Sequence, residues 1–485
     1  MTPTELLSQL RALDIHVRVE GGRLRVNAPK GRLTPELESA LVAGKEELLR
    51  ELEATQALPL TPTPRDGSAL PLSFFQERLW VLHRLEPELT TYNFGSLFRP
   101  PGPLDAERLD AALRRVVARH EILRSRFALE GDAPLARVSP PEVTHIVHTD
   151  LRDLAEEERD EALDRALSDA VRVPFDLSRD PPVRFQIFRT EEERAALLVS
   201  AHHIALDAWS FALLVRDVQA EYAAIAEGRP ATPPPALQYA DFARWQRRLS
   251  EHPSGVARLA YWKQRLAGLP SVSMFPRDHA FVAGTSAAAT HDFHWPGPLY
   301  SAVRALAREA GATLYTVLLA AVAAVLHRHT GQTDLALGSP LGTREQEALE
   351  GMIGPILNPI VLRFDLSDDP SFGTLIGRAR EAFLEGHANQ EVPFERVVQA
   401  VNPERSLQHS PLFQVAVVQH NAPDAGVIQI TSGGALYDLT LFVTEREGGL
   451  AGSYEYRADV YDAATVRRIV NMTALTVVDA NLQRP

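Results

Sequence analysis

The sequence predicts a mixed α/β protein built from more than one domain. Short stretches of strand character alternate with stretches at helical spacing from about residue 71 to the C-terminus. A proline-rich passage with Pro59, Pro62, Pro64 and Pro71 sets a first segment apart. The 485 residues, 45% hydrophobic and 23% charged, are globular in composition and too many for one ordinary core.

Residues 1–54 read as a small module. Thr2-Pro3-Thr4-Glu5 combines an N-cap, a proline at the first helical position and a capping-box glutamate, and Leu6, Leu7, Leu10 and Leu13 give one apolar face. Val17 and Val19 alternate with polar residues up to Gly21-Gly22, and Leu24 and Val26 alternate back, which predicts a hairpin. Thr34-Pro35 opens a second helix with Leu37 and Leu41; Gly44 separates it from a third with Leu48, Leu49 and Leu52. Residues 55–70 read as a semi-rigid linker. Two larger lobes follow, 71–240 and 241–485, with Pro233-Pro234-Pro235 near the crossing.

Val183–Phe188 and Ala195–Val199 read as strands joined at Glu191–Glu193, and Phe211, Leu214, Val215 and Val218 then recur at helical spacing. A helical region is expected over Leu299–His327, and strands over Ile353–Phe364, Leu412–Val418 and Leu439–Val443. Leu314–Leu326 is too short to span a bilayer and reads as a buried helix. The net charge of −13 argues against a nucleic-acid partner, and no membrane segment or secretory signal is expected. With 0 Cys there is no disulfide framework and no thiolate chemistry, and a cytoplasmic protein fits.

The residues most suggestive of chemistry are His202 and His203 with Asp207, at the junction between the second strand and the helix. An imidazole there is able to accept a proton near neutral pH, with a carboxylate nearby to fix its tautomer or its loop. A histidine at a strand end is more often a satisfied structural residue. A metal site is the other ordinary reading, but adjacent residues of an extended strand point to opposite faces, so no metal is expected.

The chain from Pro71 to about Val470 resembles the condensation domains of nonribosomal peptide synthetases. Seven motifs stand in the family's order: Ser73–Trp80 (SxAQxRLW, with Arg78), Arg119–Phe127 (RHExLRTxF, with Arg124), His202–Ala208 (HHxxxDG), Tyr239–Trp245 (YxDYAxW, with Asp241), Ile353–Asn358 (IGxFVN), Asn389–Glu395 (NQDxPFE, with Gln390) and Ser410–Val415 (NPLFQV). The first fifty-odd residues resemble TubC-type docking domains in element order and position.

The resemblance implies two chloramphenicol-acetyltransferase-like lobes in a V with a tunnel between them. An upstream donor and a downstream acceptor carrier protein would each insert a phosphopantetheine arm, the chain itself binding no cofactor. The acceptor amine would attack the donor thioester. His203 is then the catalytic candidate, either taking the amine proton or holding the amine and the tetrahedral intermediate. Asp207 would brace the loop through a salt bridge and His202 would be structural. Ala208, Trp209, Ser210, Asn358 and Gln390 would support the motif or line the tunnel, and Arg78, Arg124, Asp241 and Trp245 would be scaffold. The hairpin of Val17, Val19, Leu24 and Val26 would take a strand from the C-terminal segment of an upstream synthetase subunit, and an adenylation domain would follow the chain.

Two departures bear on activity. Ala208 replaces the family's glycine, and at a positive φ its methyl would cost about 1 kcal/mol. Pro355 and Pro359 each delete an amide donor from the IGxFVN strand, which suggests an edge or a loop. The competing functions are an ester-forming or epimerizing relative and a catalytically impaired recruitment platform.

Overall fold

The computed structural model describes residues 16–20, 23–27, 33–48, 58–99, 102–282, 287–344, 346–404, 406, 408–419, 427–431, 433–446 and 449–482. In the first module His16–Glu20 (β1) and Arg23–Asn27 (β2) pair antiparallel, with Val17 opposite Val26 and Val19 opposite Leu24. Val17, Leu24 and Leu33 pack against Leu37, Leu41 and Leu48. Helix Pro35–Ala43 starts at Thr34, whose hydroxyl accepts the Leu37 N–H, with a proline where no donor is needed. The expected helix through Leu13, the Gly21-Gly22 turn and the positions of Leu49 and Leu52 lie outside the described residues.

The first lobe holds a small sheet of Leu70–Pro71 (β3), Ser125–Glu130 (β5) and Ala133–Val138 (β6). Its main sheet contains Asn93–Phe98 (β4), Ile146–Asp150 (β7), Val183–Glu191 (β8) and Arg194–His202 (β9). Strand β9 lies between β4 and β8, and every residue after Arg194 is buried. A strand covered on both faces reads as a continuous apolar run rather than an alternation, as Ala195–Val199 does. Helices Ala106–Arg119 and Ala208–Ala226 pack together over one face. Helix Glu156–Arg172 covers the other with Leu163 and Leu167.

The second lobe is a six-stranded sheet of Ala288–Pro296 (β10), Asp334–Gly342 (β11), Leu357–Asp365 (β12), Val415–Gln419 (β13), Leu439–Arg446 (β15) and Gly449–Arg457 (β16), in the order β10-β16-β15-β13-β11-β12. Helices Gly297–Glu309, Leu314–Thr330, Phe372–Ala388 and Ala463–Leu482 form one layer against it. Leu314–Thr330 is buried almost all round, which accounts for its long apolar run.

Three segments interlock the lobes. Val427–Thr431 (β14) leaves the second lobe after β13 and pairs antiparallel with β4 of the first, before the chain returns as β15. Leu349, Met352, Ile353 and Ile356 are buried in the first lobe's core. Helix Tyr239–Glu251 starts where the sequence divides the lobes, yet its buried face of Tyr239, Phe242, Trp245 and Leu249 also belongs to the first core.

Two expected elements are corrected. The single helical region over Leu299–His327 is two helices broken around Gly311, a positive-φ position. The strand expected from Ile353 begins only at Leu357, because Ile353–Ile356 are drawn into the first lobe. Pro355 accordingly lies in that loop, and Pro359 on β12, the edge of its sheet, where a missing N–H leaves no partner strand unsatisfied.

Candidate active site

Strand β9 ends at His202, and the turn through Leu206 delivers Asp207 to the N-cap of helix Ala208–Ala226. The two histidines part as extended backbone requires. His202 is 3% exposed, its Nδ1 accepts the Ile204 N–H at 3.1 Å, and its ring packs near Tyr92 and edge-on to Phe175. His203 keeps part of its surface open. Its backbone N–H donates to the Tyr92 carbonyl and its ring lies 4.7 Å from that of Phe94. Its Nδ1 sits 3.1 Å from the Leu206 carbonyl oxygen. A carbonyl only accepts, so Nδ1 carries the proton and Nε2 keeps its lone pair.

Loss of hydration pushes the His203 imidazole below its ordinary value; the Leu206 carbonyl and the Asp207 carboxylate offset this only in part. His202 is driven well below the ordinary range, by burial first and then by the neighbouring His203 and His83. Both rings are therefore neutral near pH 7, and their roles separate: His202 is a satisfied core residue, His203 is not.

Asp207 is clamped from both lobes. Its carboxylate accepts the Ser210 N–H at 2.7 Å, the Ile356 N–H at 3.0 Å and Arg344 Nη2 at 3.2 Å from each oxygen. Both partners are almost fully buried, with side chains 6% and 8% exposed. Arg344 Nη1 also donates to the Leu349 and Met352 carbonyls, and Nη2 to Ser210 Oγ and the Gly354 carbonyl. Ser210 Oγ in turn accepts the Gly354 N–H at 2.9 Å. Gly354 has φ +151°, and a Cβ there would lie 1.9 Å from the Tyr239 ring, so only glycine fits. Tyr239 donates to the Pro355 carbonyl and meets Ser73 Oγ at 2.9 Å. Gln76 holds the histidine turn itself, donating to the Ile204 carbonyl at 3.0 Å.

The remaining candidates fall into place around this clamp. Ala208 is the first helical residue, and it is not among the described non-glycine residues at positive φ. The backbone penalty expected of its methyl is therefore absent. Trp209 Nε1 donates to the Glu350 carbonyl at 3.0 Å, a further link between the lobes. Asn358 spends its amide on structure: Nδ2 donates to the Gln390 and Val392 carbonyls and Oδ1 accepts the Phe394 N–H. Asn358 and Gln390 do border an inter-lobe cavity; its other walls include Phe242, Trp245, Thr343 and Leu349, and His203 is not among them.

Arg78 reaches Glu395 of the second lobe at 3.5 Å and lies over the rings of Phe75 and Phe394. Arg124 ties the Val117, Ala118 and Ser139 carbonyls together. Asp241 and Trp245 bind the linker, through Arg65, Thr63 and Leu58. Sequence reasoning missed Arg344. It lies 137 residues from Asp207, and the one available signal was general: a buried carboxylate needs a cation.

A family model described as Condensation domain matches residues 67–484, and one described as TubC N-terminal docking domain matches residues 4–53. The phosphinothricin tripeptide synthetase PhsC of Streptomyces viridochromogenes is 36% identical over 443 residues, covering 89% of this chain and 41% of that protein. The probable non-canonical nonribosomal peptide synthetase CymA of Salinispora arenicola is 39% identical over 443 residues, covering 87% of this chain and 6% of its own length. This chain thus spans less than half of either relative. Among solved structures, the X-domain from teicoplanin biosynthesis superposes with a TM-score of 0.77 at 30% identity, over 87% of this chain and 98% of that one. The chain belongs to the condensation-domain family of nonribosomal peptide synthetases and carries a TubC N-terminal docking domain.

Proposed function

We propose that His203 serves amide formation between two carrier-bound thioesters. The acceptor's neutral α-amine attacks the donor thioester carbonyl to give a tetrahedral intermediate. That intermediate expels the donor's pantetheine thiolate, and the ammonium proton passes to the leaving sulfur. Each amide formed thus releases one free thiol. Nε2 of His203 is the group suited to take that proton or to hold the N–H that carries it. Bringing two tethered reactants together supplies about 7–11 kcal/mol of the barrier, so an imidazole of depressed basicity suffices.

The observation that carries this reading is the Nδ1 contact with the Leu206 carbonyl, which holds the ring in the tautomer whose Nε2 keeps its lone pair. Asp207, bound to Arg344, is a positioning residue for that turn. In a reconstitution with loaded donor and acceptor carriers, His203→Ala should abolish amide product while both carriers still bind. Unchanged product would end the assignment.

The hairpin of Val17, Val19, Leu24 and Val26 is proposed to take the C-terminal segment of an upstream synthetase subunit as an added strand. Deleting residues 1–53 should then abolish pairing with that subunit and spare amide formation from carriers supplied in excess. The second reading, a recruitment platform, draws on the similarity to the X-domain, which has been solved in complex with OxyB. Carrier binding without turnover in the unmodified chain would favour it.

A further inference from the structure

The linker is fastened to the condensation fold at Leu58, Leu60, Thr63 and Arg65. Trp245 Nε1 donates to the Leu58 carbonyl at 2.5 Å, and Leu58 and Leu60 pack against the first lobe's core. The Thr63 N–H donates to Asp241 Oδ1 at 2.8 Å. Arg65 grips the same carboxylate with both terminal nitrogens, at 3.0 and 3.1 Å, and places Nε 2.9 Å from Glu121. The Asp241 side chain is 1% exposed, and Arg65 is the cation paired with it among the described residues. Burial alone would push the Asp241 carboxyl up; Arg65 and the Gln238 and Thr63 N–H groups overcome this and hold it low. The start of helix Tyr239–Glu251 thus carries a buried carboxylate that the linker's arginine neutralises.

We infer that the groove of Glu121, Asp241 and Trp245 is a receptor for the chain's own linker, and that this strap limits how far the docking domain can range. The linker does not act as a tether running from residue 55 to 70. Fastening at Leu58 leaves ten Cα steps from Leu48, which span at most about 35 Å when fully extended. A linker free back to Pro71 would have 23 steps, or roughly 80 Å. A smaller accessible volume raises the effective concentration of whatever the docking domain captures near the first lobe. That consequence rests on the docking reading above; the strap itself is measurable without any partner.

The test uses the full chain. In hydrogen exchange, the Thr63 amide should be protected, and Arg65→Ala should speed its exchange by about tenfold or more. Arg65→Lys, which keeps the charge but loses the fork, should fall between the two. Unchanged amides in helix Tyr239–Glu251 would show that the fold is intact. Because the chain has 0 Cys, cysteines placed at Glu47 and Arg248 report one distance. Its distribution should extend outward in Arg65→Glu. A Thr63 amide that already exchanges freely in the parent chain, or an Arg65→Glu distribution that superimposes on the parent's, would overturn the inference, whether or not any upstream partner is ever captured.

Discussion

Asp207 has little access to bulk water and depends on Arg344, Ser210 and Ile356 for its charge. Arg344→Ala leaves that carboxylate buried and unpaired, a change expected to cost about 3 kcal/mol. Thermal unfolding should show the loss, and amide formation should fall with it at temperatures where the variant is still folded. A variant as stable as the parent would mean that the pair does not brace the turn. Glu455 offers a separate test away from the site. Burial pushes its carboxyl from 4.5 up to about 7, so the folded chain binds a proton that the unfolded chain has released between those values. Stability from this group is complete below about pH 4.5 and is lost as pH rises through 7, on the order of 3 kcal/mol. Glu455→Gln should therefore gain stability over the parent at pH 8 but not at pH 4, as denaturant melts at the two pH values would record. An equal difference at both would refute the assignment.

Elements whose period is set by one nearby surface were legible. The β1–β2 hairpin, strands β8 and β9 and the start of helix Ala208–Ala226 all sit where alternation, apolar runs and caps place them. Asp207 was legible as a brace, but its partner was not, because nothing near Arg344 marks it. One misreading has a clear cause: Ile353–Ile356 have the composition of a strand and become a plug in the other lobe's core instead. Asn358, read as lining the tunnel or supporting its motif, ties β12 to residues 390–394 and also borders an inter-lobe cavity. Local pattern records how apolar a residue is; it does not record which lobe will bury it.

At the scale of the molecule, the two lobes are joined by more than a hinge. Strand β14, the 349–356 plug, helix Tyr239–Glu251 and the Arg78–Glu395 contact all cross between them. The His203 turn is itself held between the lobes, since Asp207 belongs to one and Arg344 to the other. The condensation fold is therefore expected to unfold calorimetrically as one unit, with calorimetric and van't Hoff enthalpies equal for that transition. Two resolved transitions for residues 67–484 would contradict the interlock. The central claim is sharper: a neutral His203, oriented by the Leu206 carbonyl, serves the attacking amine. The direct measurement is the pH profile of single-turnover amide formation between loaded carriers, for the parent chain and for His203→Ala. The account predicts that the parent stays active below pH 6.5, the ordinary histidine value, and that the variant is inactive throughout. Parent-like rates in the variant at any pH would contradict it.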